Sequence, residues 1–199
     1  AEEHAHAFAR AGGHVWISPY NDLEVIRGQG TVGVELTQQL DGIDAVLVLV
    51  GGGGLISGIA AYLKAINKNI QVIGCQPRNS CVMFESIGAG KIVQSEEKPT
   101  ISDGTAGGIE KGSVTFDLCR RFVDGFILLD EPEIERAVCS LWRSEAMAVE
   151  GAAALAVAAV MKSNRRFAGQ RVVAVISGSR IDPTLLSRLG CGENHEVHP

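Results

Sequence analysis

The stretch Ala45–Gly58, AVLVLVGGGGLISG, restricts the fold more than any other part of the sequence. Its first six residues are apolar and rich in Val, the pattern of a strand covered on both faces, as in a parallel sheet with helices on each side. The run passes directly into Gly51-Gly52-Gly53-Gly54 and then into a helical pattern over Ile56–Ile66. Without Cβ atoms, successive N–H groups of such a turn can converge on one point, and the positive end of the following helix adds to the field there. A phosphate dianion fits that place. The alternative, that the glycines only let helix and strand approach closely, asks the chain to carry four residues of high conformational entropy for little return.

Ala45–Leu63 contains no charged residue, so a membrane span has to be weighed. The glycine run in its middle would leave backbone groups unsatisfied in lipid, and strand, loop and buried helix is the better reading. No membrane association is expected.

The rest of the chain alternates in the same manner. Residues 1–11 read as a helix stopped by Gly12-Gly13, and 14–18 as a short strand ended by Pro19. Asn21 or Asp22 can cap a helix over 22–27, and 31–40 read as another. Strands are predicted at 72–75, 126–129 and 172–176, the last written VVAVI and read as buried. Helices are predicted at 82–87, 114–123, 133–149 (opened by Asp130 and Pro132) and 151–162. Residues 91–110 are a long polar, Gly-rich loop of the kind that touches a ligand. The fold class is α/β, in three layers: a mainly parallel sheet with helices on both faces.

Charge and residue placement exclude several function classes. The net charge is −5, and no basic run is longer than Arg120-Arg121 or Arg165-Arg166, so a nucleic-acid groove is excluded. The five cysteines lack CxxC spacing and read as free or buried thiols in a reducing, cytoplasmic setting, with neither disulfides nor a zinc site. All five histidines lie at positions 4, 6, 14, 195 and 198, which leaves Ser177 and Ser179 without the base a nucleophilic serine needs.

Gly28-Gln29-Gly30-Thr31-Val32-Gly33 matches the dinucleotide pattern G-x-G-x-x-G, but it follows a helical stretch instead of a strand. A helix packed closely on a neighbour explains it better. Ser177 falls at the end of the last strand, where α/β sites collect ligands, and it either bonds a bound ring or satisfies the strand terminus. Glu150 interrupts an apolar run, and it either caps the next helix or faces a pocket.

Five blocks carry a resemblance: Val25–Thr31 (VIRGQGT), the tetraglycine loop, Ser102–Gly108 (SDGTAGG), Val149-Glu150-Gly151, and Val175–Gly178 (VISG). In this order they resemble the serine/threonine dehydratase and serine racemase group of fold-type II, tryptophan synthase β-like, pyridoxal 5′-phosphate (PLP) enzymes. The wording of Ser18–Asp22 and Asp103–Gly108 is most similar to the dehydratase branch. The resemblance implies that Gly51, Gly52, Gly53, Gly54 and Leu55 hold the PLP phosphate and that Ser177 bonds the pyridine nitrogen. It further implies that Tyr20 lies beside the ring and that Gly104 and Glu150 line the pocket. The activity implied is β-elimination of water from L-threonine, L-serine or a related β-hydroxy amino acid, giving a 2-oxo acid and ammonia, by a homo-oligomer.

The family's Schiff-base lysine motif and its cofactor-clasping Ser-x-Gly-Asn-His-Gly are absent from this sequence. None of Lys64, Lys68, Lys91, Lys98, Lys111 and Lys162 stands in such a context. A missing amino-terminal segment, or a second chain, is expected to supply the lysine. The division expected is residues 1–13 as the last helix of a small domain, 14–190 as the carboxyl-terminal part of the large PLP-binding domain, and 191–199 as a tail. Gln76, Ser80 and Val82 occupy the places where serine racemases have metal-binding carboxylates, so no metal is expected. The alternative to an enzyme part is a non-catalytic module that binds PLP or phosphate or associates with a subunit.

Overall fold

The apolar run Ala45–Leu49 forms β1, whose side chains alternate between two cores. Ala45 and Leu47 face one layer, Val46 and Val48 the other, and all four are fully buried. The computed structural model describes residues 2–96 and 98–191, apart from the side chains of 2 and 3. Within them, β2 (Gln71–Pro77), β3 (Gly125–Leu129) and β4 (Val172–Ala174) complete a four-stranded parallel sheet in the order β3-β2-β1-β4. Register pairs Ala45 with Gln71 and with Val172, and Ile73 with Gly125.

On one face lie α6 (Glu131–Glu145) and α7 (Gly151–Lys162), the latter an almost entirely buried row of small residues that lets it sit close to the strands. On the other lie α3 (Gly54–Ile66) and α5 (Val114–Phe122), with α2 (Leu23–Gln39) packed outside α3. Two shorter helices, α1 (Glu2–Gly12) and α4 (Val82–Ala89), and the terminal α8 (Pro183–Arg188) complete the set. The three-layer α/β arrangement is therefore the one expected. No helix among the described residues is long and apolar enough to cross a membrane.

Several local expectations need correction. Residues 14–18 form an extended segment without ladder hydrogen bonds, because no strand among the described residues lies beside them, and Val15 is 87% exposed. The two helices expected over 22–40 are one, α2, with the glycine motif in its interior. A Cβ on Gly58 of α3 would overlap the Ile26 carbonyl and lie 2.6 Å from Gly30 N, so the glycines let the two helix backbones touch. We expect Gly58→Ala to lower the unfolding free energy by about 3 kcal/mol in urea titration, since neither backbone can give way.

The helix predicted over 133–149 ends at Glu145, where Ala146 takes a left-handed turn (φ 54°) and Ala146 N and Met147 N both bond the Leu141 carbonyl. The last strand is only half-buried and is the sheet's edge, not a covered strand. Finally, Cys139 of α6 is disulfide-bonded to Cys191, while Cys75, Cys81 and Cys119 are free and buried, so the expectation of thiols throughout is wrong. The pairing arises because the segment after α8 returns the chain to the middle of α6, a closure over 52 residues that spacing alone cannot disclose. The tail expected over 191–199 lies outside the described residues, apart from Cys191.

Candidate functional site at the carboxyl ends of the strands

β1 ends at Leu49, and the glycines that follow turn the chain from strand into α3 at the carboxyl edge of the sheet, the position where open α/β sheets bind ligands. Gly53 is the N-cap of α3 in a left-handed conformation (φ 88°), and no side chain caps the helix. The amides of Gly54, Leu55 and Ile56 therefore open the helix without an intrahelical acceptor, a set of donors suited to an anion.

The loop is clasped on every side. Thr115 Oγ1 donates to the Gly52 carbonyl at 2.6 Å, and Ser113 Oγ lies 2.8 Å from Thr115 Oγ1. Beneath Gly53, an added Cβ would lie 2.7 Å from Met83 Cε and 3.2 Å from Cys119 Sγ. Burial pushes the Cys119 thiol up to about 11, with the Ser57 hydrogen bond acting weakly the other way. It is therefore a neutral thiol that brings no anionic charge beneath the loop. A Cβ on Gly52 would overlap the Tyr20 ring, and one on Gly54 would lie 2.9 Å from Tyr20 Cα. Tyr20 thus lies against the cradle.

The other predicted site residues connect to it through a chain of contacts. A Cβ on Gly51 would lie 3.1 Å from Thr105 Cα, and Thr105 ends the 3-10 turn Asp103–Thr105. In that turn, Gly104 faces the Glu150 carboxylate, 3.6 Å from where its Cβ would be. A Cβ on Gly178 would overlap the same carboxylate, and Glu150 N donates to the Gly178 carbonyl at 3.4 Å. Glu150 takes the N-cap position of α7, but its side chain makes no cap hydrogen bond. Its carboxylate lines a cleft of about 460 Å³ with Thr100, Asp103 and Arg180. Ser177, next to Gly178, is exposed, and its hydroxyl has no partner among the described residues.

Two predicted sets take other roles. Gln76 is buried, with its carbonyl accepting from Phe84 N at 2.9 Å, and Ser80 Oγ accepts from Gly107 N at 3.2 Å, so both hold backbone in place. Lys64 is paired with Asp124 at 2.6 Å, at the amino ends of the strands and away from the loop, and Lys162 is paired with Glu133 at 2.8 Å. Reasoning from sequence missed Asn21, Glu110 and Thr115. Asp22 is the helix cap, accepting from Glu24 N at 2.7 Å, which leaves Asn21 for another purpose.

A strand-to-helix glycine loop with open first-turn amides, a neutral thiol beneath it and a second strand end beside it makes a candidate ligand site of an α/β sheet, and the comparisons give the chain's class. A family profile described as pyridoxal-phosphate dependent enzyme matches residues 1–178. The chain belongs to that family, whose members depend on PLP. It is 40% identical over 178 residues to the L-threonine ammonia-lyase of Thermotoga maritima, covering 89% of this chain and 44% of that protein. It is 38% identical over 179 residues to the catabolic L-threonine dehydratase TdcB of Escherichia coli, covering 89% of this chain and 54% of that one.

Among solved structures, the processed threonine deaminase isoform 2 of Solanum lycopersicum superposes with a TM-score of 0.89 at 32% identity, over 96% of this chain and 57% of that one. Serine racemase of Dictyostelium discoideum superposes with a TM-score of 0.80 at 32% identity, over 91% and 58%. The chain spans about half the length of the curated relatives it matches. The residues present fit the cofactor: no side chain caps α3, so its first-turn amides stay open and suit a phosphate.

Proposed function

We propose that this chain is the phosphate-holding, carboxyl-terminal part of a PLP-dependent dehydratase that deaminates L-threonine, L-serine or a related β-hydroxy amino acid. The observation that carries the reading is the seating of the glycine loop at the carboxyl end of β1, joined through Thr105, Gly104 and Glu150 to the strand end bearing Ser177. Gly51–Leu55 would hold the phosphate, Ser177 would bond the pyridine nitrogen, and Tyr20, Gly104 and Glu150 would line the pocket. A neutral hydroxyl at that nitrogen leaves it unprotonated, which favours elimination over transamination. When bound, PLP supplies an electron sink for charge developing at the substrate α-carbon.

The base and covalent anchor would come from a lysine outside these residues, upstream in the same polypeptide or on a second chain. On this reading α1 is the last helix of a small domain, the rest belongs to the large one, and the enzyme is a homo-oligomer. The half-exposed β4 and the exposed Val15 and Ile17 support it, since an open sheet edge and exposed apolar side chains call for a covering layer.

The test is a visible absorption spectrum of the protein as isolated, then borohydride reduction and mass analysis of every polypeptide present. A PLP-modified lysine outside residues 1–199, with no threonine deamination by the purified chain alone, is the expected result. Turnover of L-threonine at enzymatic rates by this chain alone would overturn it. A chain that gains no absorption on adding PLP would point to a non-catalytic module instead.

A further inference from the structure

Asn21 ties together the two supports of the glycine loop. Its Nδ2 donates to Glu110 Oε2 at 2.8 Å, and its Oδ1 accepts from Val114 N at 3.0 Å. Val114 opens α5, whose own N-cap residue, Ser113, makes no side-chain cap bond, so a residue far back in the sequence caps that helix. Asn21 is itself fixed through its N–H, which donates to the buried Ser18 Oγ at 2.9 Å.

Both partners of Asn21 lead to Gly52. Glu110 N donates to Tyr20 Oη at 3.0 Å, and the Tyr20 ring lies against Gly52. Val114 is followed by Thr115, whose hydroxyl donates to the Gly52 carbonyl at 2.6 Å from the other side. One amide side chain therefore sets the distance between the ring above the loop and the hydroxyl beneath it. The peptide plane held at the Gly52 carbonyl has its one N–H, that of Gly53, aimed, and the value of a donor depends on aim.

We propose that Asn21 is a positioning residue for the phosphate cradle, setting cofactor affinity through Glu110 and Val114 without touching the cofactor. The proposal rests on the reading of the glycine loop as the PLP cradle. It predicts that charge pattern matters as well as volume. In Asn21→Asp the donor facing Glu110 is lost and two carboxylates oppose each other. In Asn21→Asp with Glu110→Gln the bond returns with its direction reversed, and the acceptor for Val114 N is kept.

The experiment is titration of the full 199-residue chain with PLP by calorimetry, with a thermal melt of each variant and amide NMR of the glycine signals. Asn21→Asp should weaken binding about 10-fold or more, the scale of losing one hydrogen bond to a charged group. The swapped pair should return to within about 3-fold of wild type, with the Gly52 and Gly53 amide signals moving in the single variant and returning in the pair. A purely structural role would lower the melting temperature while the folded protein bound PLP with unchanged affinity and unmoved glycine signals. That outcome, or a swap that fails to recover binding, overturns the proposal. Both variants keep the volume of the native side chains, and Glu110→Gln alone, which keeps the Asn21 bond, should bind within about 3-fold of wild type. Loss of affinity in that variant also counts against it. Wild-type chain that takes up no PLP overturns the cradle reading itself, and this inference with it.

Discussion

Alanine at position 53 is expected to weaken PLP binding by the chain about 100-fold, whereas the same change at position 28 leaves binding unchanged. Gly53 has φ 88°, a region that costs an L-residue roughly 1–2 kcal/mol. Its added Cβ would also press on Met83 Cε at 2.7 Å and on Thr115 Cβ at 3.2 Å, and the second of these is held in place through its bond to Gly52. Met83 can turn its terminal methyl aside, but the left-handed conformation and the contact with the anchored Thr115 are relieved by shifting the loop, which misdirects the first-turn amides of α3 together. Gly28 faces open space on α2. There the substitution removes backbone entropy from the unfolded chain and should stabilise by up to about 1 kcal/mol. Calorimetric titration with PLP, with circular dichroism to establish that both variants are folded, separates the two. Equal affinities would remove the glycine loop from the cofactor site. A loss at position 28 would revive a ligand role for the G-x-G-x-x-G motif.

That contrast shows where sequence reading succeeds and where it stops. The alternation of Ala45, Val46, Leu47 and Val48 between two cores follows from a run with no polar face, and it places helices on both sides before any coordinate is known. Asp130 and Pro132 mark the start of α6 because a cap and a first-turn proline act locally, and Glu133 duly accepts from Asp130 N at 2.8 Å. By contrast, Gly28 and Gly30 read as a break between two helices, since glycine weakens a helix interior. The fact that outweighs this propensity is the close approach of Gly58 from another helix, which is not written near the motif.

The same division runs through the site. Four glycines between strand and helix mark a tight strand-to-helix turn locally, and Gly53 does adopt the conformation that only glycine takes easily. The parts that hold the cradle in place come from residues separated by 63 to 93 positions: Thr115 on Gly52, Tyr20 under Glu110 N, and Asn21 between Glu110 and Val114. Each is an unremarkable polar residue in a loop or a first turn. Only the third dimension distinguishes Asn21, which bridges, from Asp22, which caps. Residues 14–18 fail in the other direction. Their pattern is that of a strand, but a strand is a pairing, and none of the described residues offers an edge to it.

Reduction of the Cys139–Cys191 bond is expected to lower the unfolding free energy by about 4 kcal/mol, from the chain-entropy estimate for a loop closed over this span. The bond joins α6 to Cys191 in the short segment beyond α8, where Cys191 is buried in the same core as Leu141 and Ala154. Arg143 reinforces the junction by donating to the carbonyls of Cys191 and Gly190 at 3.3 and 3.2 Å. In the unfolded chain the bond removes conformations, whereas in the folded chain those residues meet anyway, so the stabilisation acts chiefly on the unfolded side. Urea unfolding of the oxidised protein, the reduced protein and the Cys139→Ser/Cys191→Ser variant gives the magnitude. The urea slope should rise in the last two, because an unlinked chain exposes more surface. Leu185, Thr184 and Arg188 of α8 form a wall of the cleft that holds Glu150, so the same bond fixes one side of that cleft. The cradle is seated by α3 and α5 on the opposite layer, and PLP affinity in the folded, reduced protein should therefore change less than about 3-fold. A stability change below about 1 kcal/mol would mean that α6 and the segment after α8 stay associated in the unfolded ensemble. A large loss of PLP affinity would mean that the two faces of the sheet are coupled through Glu150 and Gly178.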